Sequence, residues 1–306
     1  MTPGTLPSGT RGAGASPLEC ALPPLERTVS TARIALSPFL ALALASALPA
    51  AVAHPADAPA VTTIAPADMH LEHLRPAKMT YLVYMHGAEG TGISRAMLAT
   101  SEVRRERVDG ADAWVIEQHW EDETGTMHAA RTVHAASDIA TLAQTSTWKR
   151  PTATITTSVV PAEGRGSIEG ELPDAARERM QAGFAGMKDG WWFNWHSDLV
   201  LLPLLPYEKG GTLRVHLFDV GMPAPMDVDY TVAGDRQLQG ADGSTFDCWL
   251  VETESGKPGS GNFQRFWIDK ASRVVVKEED VFNGQYRSKV LLSVPAVVEF
   301  ALPPKP

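Results

Sequence analysis

Short runs in which hydrophobic and polar residues alternate occupy most of the chain after residue 79. In residues 113–120, Trp114, Ile116 and Trp120 fall on one side of an extended chain and polar residues on the other. Such alternation predicts antiparallel strands with one buried and one solvated face. Glycine, aspartate and asparagine separate the runs, and Asn283-Gly284 has the composition of a hairpin turn. The predicted strands are residues 81–85, 113–120, 126–134, 141–148, 152–160, 213–217, 228–232, 246–252, 263–268, 274–279 and 286–292.

One segment between the two groups of strands has helical spacing. Met180, Phe184 and Met187 recur at every third or fourth residue after Pro173, which predicts an amphipathic helix over residues 173 to about 188. An apolar link follows, whose prolines exclude a long helix or a central strand. We therefore predict a mainly β fold with one or a few helices in a single domain, residues 79–293. It comprises a first meander in 79–170, the helix and link in 171–210 and a second meander in 211–293, followed by a tail in 294–306.

The first 53 residues differ from the rest and have the features of an export leader. Arg27 and Arg33 precede an apolar run that ends in the pattern Ala51-x-Ala53, which predicts a signal peptide cleaved near Ala53. An uncleaved membrane anchor is the alternative, but prolines inside the run disfavour it. We expect a periplasmic or secreted protein with no stable membrane insertion after cleavage. Residues 54–78 are predicted to form a flexible lead-in.

Composition limits the partners and the chemistry. The chain has 306 residues and a formal net charge of −9. Beyond the predicted leader, 24 Lys and Arg stand against 34 Asp and Glu, a net charge of −10, which argues against binding to nucleic acid or to anionic lipid surfaces. Cys248 is the one cysteine after the leader, so an intramolecular disulfide is excluded there. Its place on a predicted strand face indicates a buried, unreactive thiol.

One group of ionisable residues could support metal-dependent catalysis. Glu117 and His119 project from the same face of a predicted strand, together with Glu121, and His128 and His134 lie on the sequence that follows. Three or four such groups converging on one point could bind zinc or manganese. The alternation equally requires a solvated polar face there, and we favour that interpretation. We therefore predict no catalytic residue, no metal site and no cofactor.

Two weaker motifs complete the candidate chemistry. The sequence His86-Gly87 after a strand resembles the oxyanion loop of α/β-hydrolases, but the chain has no Gly-x-Ser-x-Gly elbow. The spacing His70-x-x-His73 falls in the lead-in, and we interpret it as incidental.

Aromatic and apolar residues are concentrated around the helix and the link. They either seal the helix against the sheet as ordinary core, or they line an apolar cavity, since such sites are walled by aromatic and methionine side chains. The residues predicted to contact a hydrophobic ligand are Met180, Phe184, Met187, Trp191, Trp192, Trp195, Leu202 and Leu205.

The order of these features resembles a family of exported bacterial proteins of unknown function that is similar in plan to the LolA-type lipoprotein carriers. The resemblance covers residues 80–293. It is carried by Asp198 before Leu-Leu-Pro-Leu-Leu-Pro and by the motifs at Tyr230-Thr-Val-x-Gly, Asp242-Gly243, Trp249-Leu-Val-Glu, Phe266-Trp-Ile-Asp and Val276-Lys277. It implies a curved, unclosed antiparallel half-barrel around one or more helices, enclosing an apolar cavity, and it brings no catalytic residues.

Three functions are consistent with these observations. The leading hypothesis is a periplasmic protein that binds or carries a hydrophobic small molecule, a lipid or an acyl chain. The second is an exported metal-dependent or esterase-like hydrolase using Glu117, His119 and His128 or His134. The third is an envelope scaffold that pairs with another envelope protein through an exposed sheet edge.

Overall fold

A computed structural model describes residues 60–87, 92–150, 152–188, 190–240, 243–254, 259–282 and 284–292. The predicted leader with its cleavage site near Ala53, residues 54–59 of the predicted lead-in, and the tail in 294–306 lie outside the described residues.

Strands form most of the described chain. They are β1 Val61–Thr63, β2 Ala77–His86, β3 Ile93–Val108, β4 Ala111–Asp122, β5 Gly125–Ala135, β6 Thr141–Lys149, β7 Thr154–Val160, β8 Arg165–Glu169, β9 Phe193–Asn194, β10 Thr212–Phe218, β11 Met226–Gln239, β12 Thr245–Glu254, β13 Phe263–Asp269, β14 Val274–Phe282 and β15 Gln285–Leu291. The α-helices are α1 Asp174–Gly186 and α2 Asp198–Leu201. Single 3₁₀ turns are Pro66–Asp68, Leu71–His73, Pro161–Glu163, Trp195–Ser197, Leu202–Leu204 and Tyr207–Lys209.

All fifteen strands belong to one sheet. Its order is β1-β10-β11-β12-β13-β14-β15-β2-β3-β4-β5-β6-β7-β8, with β9 pairing additionally with β10. Neighbours are antiparallel except for β1 and β9, which each run parallel to β10. The two meanders are continuous because β15 pairs with β2. The end strands β1 and β8 do not pair with each other in the described residues, so the predicted mainly β, unclosed half-barrel is confirmed.

Four strands lie outside the predicted set, the short β1 and β9 and the longer β3 and β8. The inward positions of β3 are Met97, Ala99, Ser101 and Val103, all buried. The inward row includes the small residues Ala99 and Ser101 and the outward row includes the apolar Leu98, so the hydrophobic contrast between the two faces of β3 is weak. Residues 93–103 of this strand pair with β2 and residues 98–108 pair with β4, so pairing with both neighbours supports a strand whose own sequence pattern is weak.

The helix α1 and the link lie against the concave face and fill much of it. Helix α1 begins after Pro173 and buries Met180, Gly183 and Phe184. A Cβ on Gly183 would lie 2.1 Å from the backbone oxygen of Met222, so glycine is what allows the helix to touch the loop after β10. Every residue of the link from residue 196 to residue 207 is buried.

Residues 60–78 differ from the flexible lead-in that their composition predicts. Strand β1 pairs with β10, and Ile64, Met69 and Leu74 are buried in the main core. Three well-spaced apolar side chains are enough to fix this segment on the sheet, even though it has no periodicity that a sequence pattern could detect.

Candidate functional site

A cavity of about 90 Å³ lies between the sheet, α1, the link and the loop after β10. Since a water molecule's share of liquid volume is about 30 Å³, that space corresponds to about three water molecules. Its wall is mostly apolar and contains four methionines and three tryptophans. The apolar lining residues are Met85, Met97, Met127, Met180, Trp120, Trp148, Trp195, Ile155, Leu172 and Val220, and the others are Arg95, Arg150, Arg287, Asp219, Thr157 and Gly221.

Strand register brings the aromatic part of the wall together. Directly opposite residues on paired antiparallel strands share a face. Trp120 faces His128, His128 faces Trp148, and Trp148 faces Ile155, which makes one inward row across β4 to β7. The His128 ring stacks on Trp148 at 3.8 Å between centroids, and Trp120 meets Trp148 edge-on at 6.3 Å. Trp120, Trp148 and Ile155 of this row form an apolar side of the cavity.

A second inward row brings positive charge to the wall. Arg287 on β15 lies opposite Met85 on β2, and Met85 lies opposite Arg95 on β3. Each arginine is paired with a carboxylate, Arg287 with Asp280 and Arg95 with Asp122. The hydrogen bond from Arg95 is the main reason that the pKa of Asp122 falls to about 2. Both guanidinium groups are therefore held in place at the cavity by neighbouring carboxylates.

Asp219 is the acidic member of the wall. Its Oδ1 is buried, has no hydrogen-bond partner among the described residues and lies 3.6 Å from Nδ1 of His196. Burial raises the pKa of Asp219 to about 7, although the backbone of Val220 and Gly221 hydrogen-bonds to its carboxylate and opposes that shift. The cavity therefore holds a carboxyl group that titrates near neutral pH.

A buried ion cluster lies beside Trp120 inside the half-barrel. Lys289 Nζ donates a hydrogen bond to Glu278 Oε2 at 2.6 Å, and the side chains are 3% and 1% exposed. Lys289 and Arg287 lie 5.4 and 5.5 Å from the Trp120 ring, within cation–π distance. The pKa of the nearby Asp198 is raised to about 7, mainly by burial, with Lys289 lowering it and Glu278 raising it. Lys289 is therefore hydrogen-bonded to Glu278 and also stabilises the charged form of Asp198.

A polar network fastens the link to strand β6. Asn194 Nδ2 donates to Gln144 Oε1 at 2.7 Å, and Gln144 Nε2 donates to His196 Nδ1 at 2.9 Å. The Asn194 side chain also accepts a hydrogen bond from the backbone N–H of His196. All three residues are at most 2% exposed. Because buried amides are costly to leave unpaired, this chain fixes the position of the link in the concavity.

His134 makes a second buried contact with the link. Its Nδ1 lies 2.9 Å from the backbone oxygen of Ile139, so it donates there, and its Nε2 accepts from the hydroxyl of Ser197 at 2.9 Å. Burial lowers the pKa of His134 to about 4, which keeps the ring neutral. The serine and histidine are at most 1% exposed and do not line the cavity, so their geometry supports the fold and gives no access to an ester.

The residues considered for a metal-dependent hydrolase are not brought together. Glu117 forms an ion pair with Arg104 on the outer face of the sheet, and His119 is exposed there. His128 and His134 point into the interior on the opposite face. The favoured interpretation of Glu117 and His119 as part of a polar face agrees with this arrangement.

The eight residues predicted to contact a ligand divide into three groups. Met180 and Trp195 line the cavity. Trp192 stacks on His216 at 5.0 Å between centroids, and Trp191 donates from Nε1 to a backbone oxygen at 3.0 Å. The remaining four are at most 1% exposed and pack in the core: Phe184, Met187, Leu202 and Leu205. A ligand contact for any of the eight stays a prediction.

The sheet side of the cavity was absent from the predicted site. Met85, Met97, Met127 and Trp148 meet only through the pairing of β2 with β3 and of β4 through β6, so no local pattern joins them. The alternation of polar and apolar residues already predicted that Trp120 points inward. A search for methionine and tryptophan at the same end of neighbouring strands could have identified the other residues of this wall.

Cys248 is fully buried, and burial raises the pKa of its thiol to about 12, in agreement with the predicted unreactive cysteine. Across the described residues, neither helix combines the length and the apolar composition needed to cross a bilayer.

Residues 80–290 match the family described as "Protein of unknown function (DUF3108)". The match spans more than half of the chain, so the chain belongs to this family, and the predicted membership in a family of unknown function is confirmed. No curated protein matches the chain in sequence.

Three solved structures show distant similarity. A β-barrel-like protein of the domain of unknown function DUF1849 from Brucella abortus is 11% identical, with 74% of this chain and 100% of that chain covered and a TM-score of 0.39. A DUF1329 family protein from Desulfovibrio piger is 10% identical, with 76% and 89% covered and a TM-score of 0.27. A putative outer membrane lipoprotein-sorting protein domain from Vibrio parahaemolyticus is 12% identical, with 72% and 84% covered and a TM-score of 0.23.

Proposed function

We propose that this protein binds a hydrophobic ligand, a lipid or an acyl chain, in the cavity between the sheet, α1 and the link, and carries it in the periplasm. The observation behind the proposal is the wall itself, in which four methionines and three tryptophans converge from strands, helix and link. Methionine adapts to ligands of different shape, and tryptophan supplies large apolar area, so such a wall suits an alkyl chain better than a polar metabolite.

The physical gain from such binding is the removal of methylene groups from water. Each buried CH₂ contributes about 0.8 kcal/mol. A cavity of about 90 Å³ accepts only the end of a long chain, because pockets for drug-sized ligands enclose roughly 300–1,000 Å³. We propose that a longer chain displaces α1, which packs on the edge strand β8 and buries only Met180, Gly183 and Phe184.

The charged part of the wall favours a ligand with an acidic end. Arg95, Arg150 and Arg287 lie on the wall, and although Arg95 and Arg287 are paired with Asp122 and Asp280, a guanidinium has five N–H donors and keeps some for a second acidic group. Guanidinium groups bind carboxylate and phosphate in a bidentate geometry. We propose that the acidic end of an acyl ligand lies at these arginines while its chain lies against the methionines.

The test is binding of a fluorescent fatty acid to the protein, with one wall variant and one matched control. Met127 lines the cavity and Met226 is 43% exposed on β11, so Met127→Gln and Met226→Gln make the same chemical change at the two places. The glutamine carbonyl can accept from Arg95, as the Met127 sulfur does at 3.3 Å, but its NH₂ group would be unpaired against an alkyl chain at a cost of about 1–3 kcal/mol, so Met127→Gln is expected to weaken binding about tenfold or more. Met226→Gln is expected to bind like the parent protein. Equal affinity of the two variants, or no binding at micromolar concentrations, would contradict the proposal.

Export is a separate part of the proposal and has its own test. We propose that the chain is cleaved after Ala53, because the charge and apolar pattern before that residue matches a signal peptide. The intact mass of the protein recovered from the periplasm should correspond to a chain that begins at His54. A mass that includes the apolar run would instead indicate an uncleaved anchor.

A further inference from the structure

Two histidines and a glutamate meet on the surface of the segment before β2. Glu72 Oε1 lies 2.9 Å from His70 Nδ1 and 3.8 Å from His73 Nε2. Among the described residues, this is the one group in which three potential metal-ligand atoms lie within 4.8 Å of one another. Zinc binds histidine nitrogen and carboxylate oxygen at about 2.0–2.2 Å in tetrahedral geometry, which separates neighbouring ligand atoms by about 3.3–3.6 Å. The observed 2.9 and 3.8 Å bracket that range, and the two histidine nitrogens lie within 4.8 Å of each other, so side-chain movements of up to about 1 Å would bring the three atoms around one ion.

A second observation, independent of those three atoms, also points to a metal. The other nitrogen of His70, Nε2, lies 3.7 Å from Glu208 Oε2, and Glu208 forms an ion pair with Arg273. Arg273 also donates hydrogen bonds to the backbone oxygens of Pro203 and Leu205, each at 3.3 Å. A histidine that binds a metal commonly donates its second N–H to a carboxylate that is itself held in place. His70 faces such a carboxylate on the side away from Glu72.

The backbone holds this group in a fixed arrangement. The residues belong to the single turn Leu71–His73 and to His70 just before it. The backbone N–H of His70 donates to the backbone oxygen of Leu204 at 2.8 Å. Met69 and Leu74, on either side of the turn, are buried in the core. The side chains of His70, Glu72 and His73 remain 35%, 64% and 37% exposed, so an ion can reach them from solvent.

We infer that His70, Glu72 and His73 form a zinc-binding site on the surface, in which Glu208 orients His70. Two imidazoles favour zinc and related transition metals over magnesium or calcium, which prefer oxygen ligands alone. A solvent molecule takes the fourth position. Because Glu208 belongs to the turn Tyr207–Lys209, the bound ion couples the segment before β2 to the end of the link. This site is separate from the cavity and does not depend on the proposed lipid binding.

The experiment is a titration of the metal-free mature protein with zinc, using a chromophoric chelator as competitor, and a parallel titration with cobalt(II) followed by its visible absorption. We expect one zinc ion per chain and a cobalt spectrum typical of tetrahedral coordination. His70→Ala and His73→Ala should each lower the zinc affinity by about 100-fold, and Glu208→Gln by about 10–100-fold as a residue that acts through His70. The control is His119→Ala, which removes an exposed histidine from the outer face of β4 and should leave the affinity unchanged.

Two results would overturn the inference. One is zinc binding that is equally strong in the parent protein and in His73→Ala. The other is no stoichiometric binding at tens of micromolar zinc by a protein whose circular dichroism shows the native β fold. Because the histidines are partly exposed, their alanine variants are expected to unfold at the same urea concentration as the parent protein when no metal is present. This comparison separates loss of zinc binding from loss of the fold.

Discussion

The ion pair between Lys289 and Glu278 lies inside the half-barrel, and its removal is expected to destabilise the protein. Lys289 Nζ and Glu278 Oε2 are 2.6 Å apart, and both side chains are almost fully buried. At an effective dielectric constant of about 20, charges at that separation attract by about 6 kcal/mol. Arg287, 3.8 Å from Glu278, still supplies about 4 kcal/mol by the same rule after Lys289 is removed. We therefore expect Lys289→Met to lower the free energy of unfolding by about 3 kcal/mol, the low end of the range for broken buried pairs.

The assay is urea unfolding near neutral pH, followed by tryptophan fluorescence. Lys277→Met is the matched control, because Lys277 and Glu279 form a pair of the same 2.6 Å length in which both side chains are about 30% exposed. Exposed pairs contribute about 0–1 kcal/mol, so this control should be nearly neutral. The double variant Lys289→Met with Glu278→Met removes both charges and should recover most of the loss.

Two results would refute this reasoning. One is a loss below about 1 kcal/mol for Lys289→Met, which would mean that water reaches the pair and screens it. The other is a double variant less stable than Lys289→Met alone, since removing the second buried charge should relieve the penalty that the first substitution creates.

Three further predictions concern the wall, the helix and the thiol. Because folding raises the pKa of Asp219 from its ordinary 3.8 to about 7, the folded state binds more protons between those values, and stability falls as pH rises through that window. Asp219→Asn should therefore gain stability over the parent between pH 4 and 7, by thermal unfolding, on the order of a few kcal/mol. In α1, Gly183→Ala should destabilise by about 1–3 kcal/mol through the contact with Met222, whereas Gly186→Ala should stabilise by about 0.5–1 kcal/mol through helix propensity. Cys248 should react with a thiol reagent only as fast as the protein unfolds.

Each of these has an opposing outcome. A pH-independent difference between Asp219→Asn and the parent would mean that the carboxyl group is not shifted in the folded protein. Equal effects of the two alanine substitutions in urea unfolding would show that α1 does not touch the loop after β10. Rapid modification of the native thiol would show that strand β12 opens to solvent.

Eleven of the fifteen strands were predictable because alternation is a local property, and the helix was predictable from the spacing of Met180, Phe184 and Met187. The inward charges of β14 and β15 show the limit of that approach. Glu278 and Lys289 are polar, so alternation assigns them to a solvated face, but each is buried because the other lies across the strand pair. A buried pair of this kind depends on register between strands, which no local pattern contains.

The candidate site was predictable only on one side. The concentration of aromatic residues after α1 pointed to the link, and Trp195 does line the cavity. The opposite wall depends on β15 pairing with β2, which closes the gap between the two meanders and brings Arg287 beside Met85. His70 and Glu208 are likewise 138 residues apart and meet only because the link crosses the concave face.

The most direct test of the central claim is native mass spectrometry of the mature protein, purified from the periplasm without detergent. Our account predicts a population heavier than the polypeptide by the mass of a lipid or fatty acid, released on denaturation and recovered in an organic extract. It also predicts that this population is reduced in Met127→Gln and retained in Met226→Gln. A protein that carries no lipid, and takes none up from added fatty acid, would contradict the claim that the cavity binds a hydrophobic ligand.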